Sequence, residues 1–400
     1  MSYFSRFKGL PKQVYILGIM RLFVGFGSMV FSLASLLMTE VLGMTAGQAS
    51  IVVMVQAFAN AAGAYTGGKL ADLWGRRRSY LLFASGALVF YCTCGFICRT
   101  MWVLPFLVLG TFSSNACGPV ISALVADYTG EEKRVECFSF LYLCVNLGFA
   151  VGPTIGGIIF NKHLPMIFFI QGSVYFVVGV ILFILIDEVY IPGSSVSAKV
   201  EAGPEGESGF RILLRHKMLC IYIVCLSVVT ICYAMCNFML PLQLTEYFGS
   251  EVSSTYTGII WAINGIVIVV ITPAILGILK KNHHFVNCTY GIGLYAIGFG
   301  MYAFVKTPAM FFASAIIWSV GETMISTGSG AFIANESPES HRGRFQSYYE
   351  IARYMGRAAS PPICAAVMGV AGYGRTWLIN VCLCLSMGAI LFISYKRRPQ

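Results

Sequence analysis

Long apolar runs alternate with short polar segments along the whole chain. A transmembrane helix needs about 20 predominantly apolar residues to cross roughly 30 Å of hydrocarbon. Runs of that length cover residues 13–38, 47–68, 79–98, 102–126, 137–160, 165–186, 218–245, 255–279, 285–305, 309–333, 345–370 and 375–395. The pattern predicts an all-α membrane protein with twelve transmembrane helices.

The longest polar interval divides these runs into two sets of six. It covers residues 187–217 and contains a Pro-Gly-Ser-Ser run at 192–195 and a Gly-Pro-Glu-Gly run at 203–206. Such a composition is typical of a flexible linker without apolar periodicity. The predicted organisation is a six-helix bundle over 1–186, a cytoplasmic linker over 187–217 and a second six-helix bundle over 218–400.

Lys and Arg are divided unequally between the loops on the two sides of the predicted spans. The loops on one side carry twenty of them, and the loops on the other side carry four. Because short cytoplasmic loops hold the excess of positive charge, the sequence predicts that both termini lie in the cytoplasm. An even number of spans fits this orientation.

Composition agrees with this pattern and excludes several classes of function. Apolar residues make up 57% of the chain and charged residues only 11%, whereas charged residues are about a quarter of soluble proteins. The net charge of +10 lies mainly in short loops, which is typical of a topology signal and not of a nucleic-acid-binding face. The 14 cysteines lie in or beside apolar runs without the spacing of a zinc site.

Residues 68–78 form a short charged segment that reads Gly-Lys-Leu-Ala-Asp-Leu-Trp-Gly-Arg-Arg-Arg. Its bracketing glycines permit tight turns and close helix approach, and its arginines favour the cytoplasmic side. The segment resembles the signature loop between helices 2 and 3 of the major facilitator superfamily. With the two halves and their linker, the resemblance covers nearly the whole chain. It implies two pseudo-symmetric bundles with a substrate site near the midplane between them.

The resemblance also implies a cytoplasmic latch, which holds the halves together in the outward-facing state and opens as the transporter rocks inward. A carboxylate that accepts hydrogen bonds from backbone N–H groups at a helix N-terminus would suffice for it. Asp127 belongs to the same charged set. The residues implied to form the latch are Gly68, Asp72, Gly75, Arg76, Arg77, Arg78 and Arg134.

The fifth run contains a glycine-rich stretch at 148–157. Glycines four apart leave a smooth face for another helix, and a proline removes a backbone donor and bends the helix. These properties alone predict a packing and hinge element, which residues 356–362 repeat in degenerate form. The stretch also resembles the helix-5 motif of proton-coupled exporters, whose residues here are Gly148, Gly152, Pro153, Gly156 and Gly157. Segments 127–134 and 337–344 are similar to loops of drug-exporting members.

Glu322 lies near the centre of the tenth run, roughly 20 Å deep by helical rise. Placing a carboxyl group there costs free energy, so such a group is expected to have a function. A carboxyl group that binds and releases a proton suits a proton-coupled transporter. Glu322 and Asp127 are the predicted proton-coupling residues. The alternative for Glu322 is a structural ion pair with Arg357, which could instead face Glu350.

Polar and aromatic residues inside other runs are candidates for lining the cavity. Arg21 could instead extend toward the cytoplasm, and each asparagine could instead bond a neighbouring helix. Multidrug/proton antiporters of the superfamily often carry an arginine in helix 4 at the position where this chain has Phe106. Its absence argues against a proton relay through helix 4. The cavity candidates are Arg21, Phe26, Asn115, Asn237 and Arg357.

The predicted function is proton-coupled efflux of small lipophilic or amphiphilic compounds by alternating access, as in the multidrug/proton antiporter subgroup. The embedded arginines favour an alternative, proton-coupled uptake of a small anionic or sugar-like metabolite. A non-transporting membrane sensor is the third interpretation. The predicted partners are a small-molecule substrate, protons and the lipid bilayer of the cell membrane, with no nucleic acid, and the chain is expected to be a monomer.

Enzymatic function is not expected, because the sequence has no Gly-x-Ser-x-Gly, phosphate loop or metal-spaced histidine set. No cofactor and no metal is predicted, since the proton gradient would drive transport. His283 and His284 are adjacent in a loop, where solvation is a simpler interpretation than ligand binding.

Overall fold

The computed structural model describes residues 7–187, 215–279, 282–327, 329–337 and 342–397. Most of the predicted linker therefore lies outside the described residues. All regular structure within them is helical, as the apolar pattern predicts. The main helices are α1 Lys12–Phe26, α2 Ala46–Trp74, α3 Arg76–Ile97, α4 Val103–Tyr128, α5 Glu131–Ile159, α6 Leu164–Leu185, α7 Lys217–Phe248, α8 Ser250–Leu279, α9 His284–Met301, α10 Pro308–Ser326 and α11 Arg342–Lys396.

Ten helical segments in the described chain are long and apolar enough to cross a membrane. The 18-residue α9 is not one of these ten. The last of them lies in α11, where two helices meet at Gly372 with φ of 75°. Glycine adopts such a conformation at little cost, and the sequence analysis placed the interruption between spans at 371–374. The chain is a multi-pass membrane protein, and the count of twelve spans stays a prediction.

The first predicted span, residues 13–38, is not one regular helix. After α1 ends at Phe26, the chain continues through short helices at Met29–Ser32 and Ala34–Leu36 and a π-helical turn at Leu37–Val41. An interrupted helix exposes backbone donors that need other partners. The side-chain Oε1 of Gln171 accepts such a bond from the backbone N–H of Val30 at 3.1 Å, so α6 supports the interruption.

The prediction of one helix over 309–333 was also wrong. Helix α10 ends at Ser326, and a separate helix covers Ser329–Glu336. The sequence at 326–330 reads Ser-Thr-Gly-Ser-Gly, and all of these residues have low helix propensity. Thr327 accordingly has extended dihedral angles, with ψ of 114°.

The chain forms two compact units. The first contains Met1–Ser195 and Leu244–Val269, and the second contains Val196–Gln243 and Val270–Gln400. The predicted division at the linker instead assigns all of α7 and α8 to the second half. Two bundles of six helices therefore stay a prediction.

The second unit is held together around a buried chain of polar and aromatic groups. The indole N–H of Trp377 donates to Oε1 of Gln243 at 2.7 Å, and Nε2 of Gln243 donates to the carbonyl of Tyr302 at 2.9 Å. The indole N–H of Trp318 donates to the hydroxyl of Tyr302 at 3.0 Å. Because buried polar groups are costly unless they are bonded, this network fixes how α7, α10 and α11 pack around the end of α9.

Candidate functional site

Arg76 joins two carboxylates that come from different helices. Its Nη1 donates to Oδ1 of Asp72 at the end of α2, and its Nε donates to Oδ2 of Asp127 in α4 at 3.1 Å. The side chain of Arg76 is 10% exposed, compared with 30% for Asp127 and 50% for Asp72. The guanidinium is thus the buried centre of a network that ties α2, α3 and α4 together. The sequence analysis did not predict this shared partner.

The glycines of the signature segment differ in what they do. Gly75 joins α2 to α3 with φ of 98°, a conformation that favours glycine. A Cβ atom on Gly68 would lie 3.7 Å from the Cβ of Pro119, which is an ordinary contact. A Cβ atom on the preceding Gly67 would collide with the carbonyl oxygen of Ala116. The close approach of α2 to α4 therefore depends on Gly67, which the sequence analysis did not single out.

The remaining latch candidates are dispersed. Arg77 donates from Nη2 to the carbonyl of Phe183 and lies 4.3 Å from the centre of that ring. Arg78 is exposed and has no hydrogen-bond or ion-pair partner among the described residues. Arg134 forms no ion pair with Asp127 in this part of the chain, and its Nε is buried without a hydrogen-bond partner there.

One face of α5 lies against α1. A Cβ atom on Gly148 would collide with the carbonyl oxygen of Leu22, and one on Gly152 would collide with that of Phe26. Gly156 continues this face onto the chain just after α1, where its Cβ would lie 2.9 Å from the nearest side chain. Only residues without a side chain allow the backbones to come this close.

The opposite face of α5 lies against the part of α8 that belongs to the same compact unit. The hydroxyl of Ser254 donates to the carbonyl of Gly157 at 2.8 Å, and Thr154 donates from Oγ1 to the carbonyl of Gly258 at 3.2 Å. A Cβ atom on Gly258 would collide with the carbonyl oxygen of Pro153. The helix-5 glycines therefore serve two interfaces, and the α8 partner was missed although its small residues are spaced one helical turn apart.

The degenerate repeat in α11 packs in a similar way within the second unit. A Cβ atom on Gly356 would lie 3.0 Å from the carbonyl oxygen of Ser227 in α7. One turn later, the hydroxyl of Ser360 donates to the carbonyl of Ile231 at 2.8 Å. The contact of α11 with α7 thus has the same small-residue character as the contact of α5 with α1.

Two cavity candidates of the first unit bond neighbouring helices. Nη2 of Arg21 donates to the carbonyl of Gly118 in α4 at 3.2 Å. Nδ2 of Asn115 donates to Oδ1 of Asn60 in α2, which is the helix-bonding alternative left open for the asparagines. Asn237, in the second unit, is half-buried and makes no hydrogen bond within the described residues.

A cavity of about 200 Å³ lies in the second unit, and both Glu322 and Arg357 line it. Glu350 and Arg353 line it as well, with Nη1 of Arg353 3.2 Å from Oε1 of Glu350. Arg357 forms no ion pair with any described carboxylate, including Glu350. The other lining residues are Leu226, Val229, Thr230, Tyr233, Tyr295, Ile325, Ser326, Ser329, Gln346 and Tyr349.

The expectation of a solvated loop pair was wrong for His284. This residue opens α9 and is half-buried, with Nε2 lying 2.8 Å from the hydroxyl of Tyr222 and 3.3 Å from the sulfur of Cys288. Removal from water, and secondarily the charge of His283, lower the pKa of His284 to about 4. The sequence carried one signal, since Cys288 follows His284 by one helical turn.

Comparison with known proteins decides the family. The chain matches the family model of the Major Facilitator Superfamily over residues 17–361, with a second match over 288–400. It belongs to the Major Facilitator Superfamily. This major facilitator protein is 22% identical over 382 residues to a Na(+), Li(+), K(+)/H(+) antiporter of Planococcus maritimus, and the match covers 88% of each chain.

A shorter match to this major facilitator protein is the quinolone resistance protein NorA of Staphylococcus aureus (strain Mu50 / ATCC 700699), 25% identical over 182 residues and 44% of each chain. The crystal structure of an auto inhibited POT family peptide transporter superposes with a TM-score of 0.78 over 98% of both chains, at 12% identity. Such low identity shows the fold alone. The protein is a membrane transporter and not an enzyme.

Proposed function

We propose that this protein is a proton-coupled antiporter that exports small amphiphilic compounds by alternating access. We also propose that the chain has twelve spans in two six-helix bundles and that both termini lie in the cytoplasm. The observation that carries it is the position of Glu322, a carboxyl group inside the apolar helix α10, one turn before its end at Ser326, that lines a cavity with other polar residues. A carboxyl group within a membrane-spanning helix costs free energy and is expected to have a function.

The surroundings of Glu322 suit a group that changes its protonation state. Arg357 lines the same cavity without forming an ion pair to any described carboxylate. An ion pair with Arg357 would hold Glu322 in its charged form. The cavity of about 200 Å³ has room for several waters, since one water occupies about 30 Å³. Protons would therefore reach Glu322 through water when the cavity opens.

The Arg76 network, which lies within the first unit, is proposed as that unit's part of the cytoplasmic latch. It joins three helices through one buried guanidinium. Because the network is partly exposed, its ion pairs can be broken at a moderate cost in free energy. Asp127 was also a candidate for proton coupling. Its contact with Arg76 favours the latch role, which leaves Glu322 as the proposed coupling acid.

The test is dye transport in inverted membrane vesicles with an imposed pH gradient. The intact protein should accumulate a cationic amphiphilic dye when the interior is acidified, and Glu322→Gln should abolish this accumulation. Glu246→Gln, which neutralises an exposed carboxylate at the end of α7, is the matched control and should behave as the intact protein. Equal gradient-driven accumulation by the Glu322→Gln variant would contradict the proposal.

A second candidate function is proton-coupled movement of a small organic anion. The guanidinium of Arg357 in the cavity wall forms no ion pair within the described ranges, which favours this candidate, because such a group binds carboxylates by charge-assisted hydrogen bonds. Counterflow of acidic sugars or organic anions, compared with cationic dyes, separates the two functions. Loss of anion counterflow in Arg357→Gln would support the second candidate, and exchange of dyes alone would exclude it.

A further inference from the structure

We propose that His284, Tyr222 and Ser329 form a proton path between the cavity of Glu322 and the loop face where α9 begins. The inference rests on the proposed function, because it supplies a route for the proton that Glu322 would exchange. All of these residues belong to the second unit.

The path is a continuous row of hydrogen bonds through three helices. Nε2 of His284 lies 2.8 Å from the hydroxyl of Tyr222, and that hydroxyl donates to Oγ of Ser329 at 3.0 Å. Tyr222 is fully buried and Ser329 is 4% exposed, so bulk water does not replace these bonds. Ser329 also lines the cavity that contains Glu322. The row therefore begins at a half-buried imidazole and ends at the cavity wall.

The bond directions allow a proton to pass without leaving a net charge behind. Because Tyr222 donates its proton to Ser329, its oxygen accepts the N–H of His284 at Nε2. An incoming proton binds Nδ1 of His284 while the proton on Nε2 moves to Tyr222. Tyr222 passes its own proton to Ser329. The hydroxyl of Ser329 donates to the carbonyl of Ile325 at 2.5 Å, so it must rotate toward the cavity before it passes its own proton to a water beside the carboxylate of Glu322. Each group has the same number of protons before and after the transfer. Rotation of the two hydroxyl groups and tautomer exchange of the imidazole then restore the original hydrogen-bond directions.

Release of a proton from Glu322 runs through the same atoms in the opposite order. Neutral imidazole is suited to this task because it donates at one nitrogen and accepts at the other. The low pKa of His284 keeps it neutral near pH 7, so that the path conducts protons and does not store them. For an exporter, this is the step in which the cytoplasm receives the proton.

Two uncharged side chains pack against the path, and a second histidine adjoins it. The ring of Tyr349 in α11 lies 6.3 Å from that of Tyr222, and the thiol of Cys288 lies 3.8 Å from the Tyr222 hydroxyl. His283 precedes the path in sequence and stacks on Tyr395 with ring centres 4.9 Å apart. No described carboxylate forms an ion pair with His284. A charge that would trap the proton on the imidazole is therefore missing from the described surroundings.

The experiment follows protonation of Glu322 in the purified full-length protein by infrared spectroscopy after a pH jump. The carboxyl band of Glu322 is identified by its loss in Glu322→Gln. Tyr222→Phe removes the central hydroxyl and should slow the appearance of the band about tenfold or more, because a positioned proton-transfer group contributes roughly 100-fold or more. His284→Ala should slow it similarly, and added imidazole should restore the rate, which a purely structural role would not do.

Tyr302→Phe is the matched control, since Tyr302 is another fully buried hydroxyl of the second unit and bonds Trp318. It should leave the rate unchanged. If Tyr222→Phe does not purify as folded protein, His284→Ala with and without imidazole decides the question. An equal protonation rate in His284→Ala and the intact protein would overturn the path and leave the proposed function standing. A Glu322 band that never responds to pH would overturn both.

Discussion

Replacing Gly152 by alanine tests whether the α5 glycines set the distance to α1. The added Cβ would lie 2.7 Å from the carbonyl carbon of Phe26 and 2.9 Å from its Cα. Favourable carbon contacts begin near about 3.5 Å, and the carbonyl oxygen of Phe26 lies closer still, so α1 must retreat by at least about 0.8 Å or the atoms must overlap. Overpacking of this kind lowers stability by about 1–3 kcal/mol, while a glycine-to-alanine exchange within a helix by itself raises stability by about 0.5–1 kcal/mol.

The expected net loss relative to the intact protein is therefore about 0–2.5 kcal/mol in the free energy of unfolding, and the loss relative to a glycine-to-alanine exchange without overpacking is about 1–3 kcal/mol. It can be measured by SDS titration of the purified protein with a helical-content readout. The matched control is Gly293→Ala in α9, where the added Cβ meets nothing within 4 Å. That variant should be as stable as the intact protein or more stable by up to about 1 kcal/mol.

The reasoning is refuted if Gly152→Ala unfolds at the same SDS concentration as Gly293→Ala or at a higher one. In that case, the backbone contact between α5 and α1 would be loose enough to accept a methyl group, and the spacing of the glycines would have another cause.

Three further outcomes are expected. Arg76 and Asp127 can be neutralised singly and together in a double-mutant cycle, which should give a coupling free energy of about 1–2 kcal/mol, since both side chains are partly withdrawn from water. Additive effects of the two single substitutions would mean that the side chains have no net interaction. Asp72→Asn should slow dye transport while membrane expression stays intact, and normal turnover would remove this residue from the latch. Because the folded pKa of His284 is about 4, below the ordinary 6.5, the unfolded chain binds the proton first. Stability should thus fall by about 2–3 kcal/mol as the pH drops from about 6.5 to about 4, and His284→Gln should remove this component of the fall.

The long apolar runs predicted where most of the helices lie, because each long run must satisfy its backbone hydrogen bonds as a helix. It also located the interruption at Gly372, where neighbouring residues 371–374 include a second glycine. It missed the end of α10 at Ser326, since a run of apolar residues continues beyond the polar Ser-Thr-Gly-Ser-Gly stretch. Hydropathy indicates which residues can lie in lipid, whereas the end of α10 is set by the low helix propensity of the Ser, Thr and Gly residues.

The candidate site was predicted less completely because its contacts join residues far apart in sequence. Glycine spacing identified the face of α5, but the partner on α8, which includes Ser254, required the fold. Depth alone brought Glu322 and Arg357 to the same level, and they do line one cavity. The sequence could not show that Glu350 takes Arg353 as its partner, or that His284 lies against Tyr222.

The central claim is that Glu322 couples transport to protons. The most direct measurement compares two modes of transport by Glu322→Gln in proteoliposomes: exchange of labelled for unlabelled dye without a gradient, and accumulation driven by a pH gradient. The account predicts that exchange persists while gradient-driven accumulation is lost. Accumulation at the level of the intact protein would contradict it.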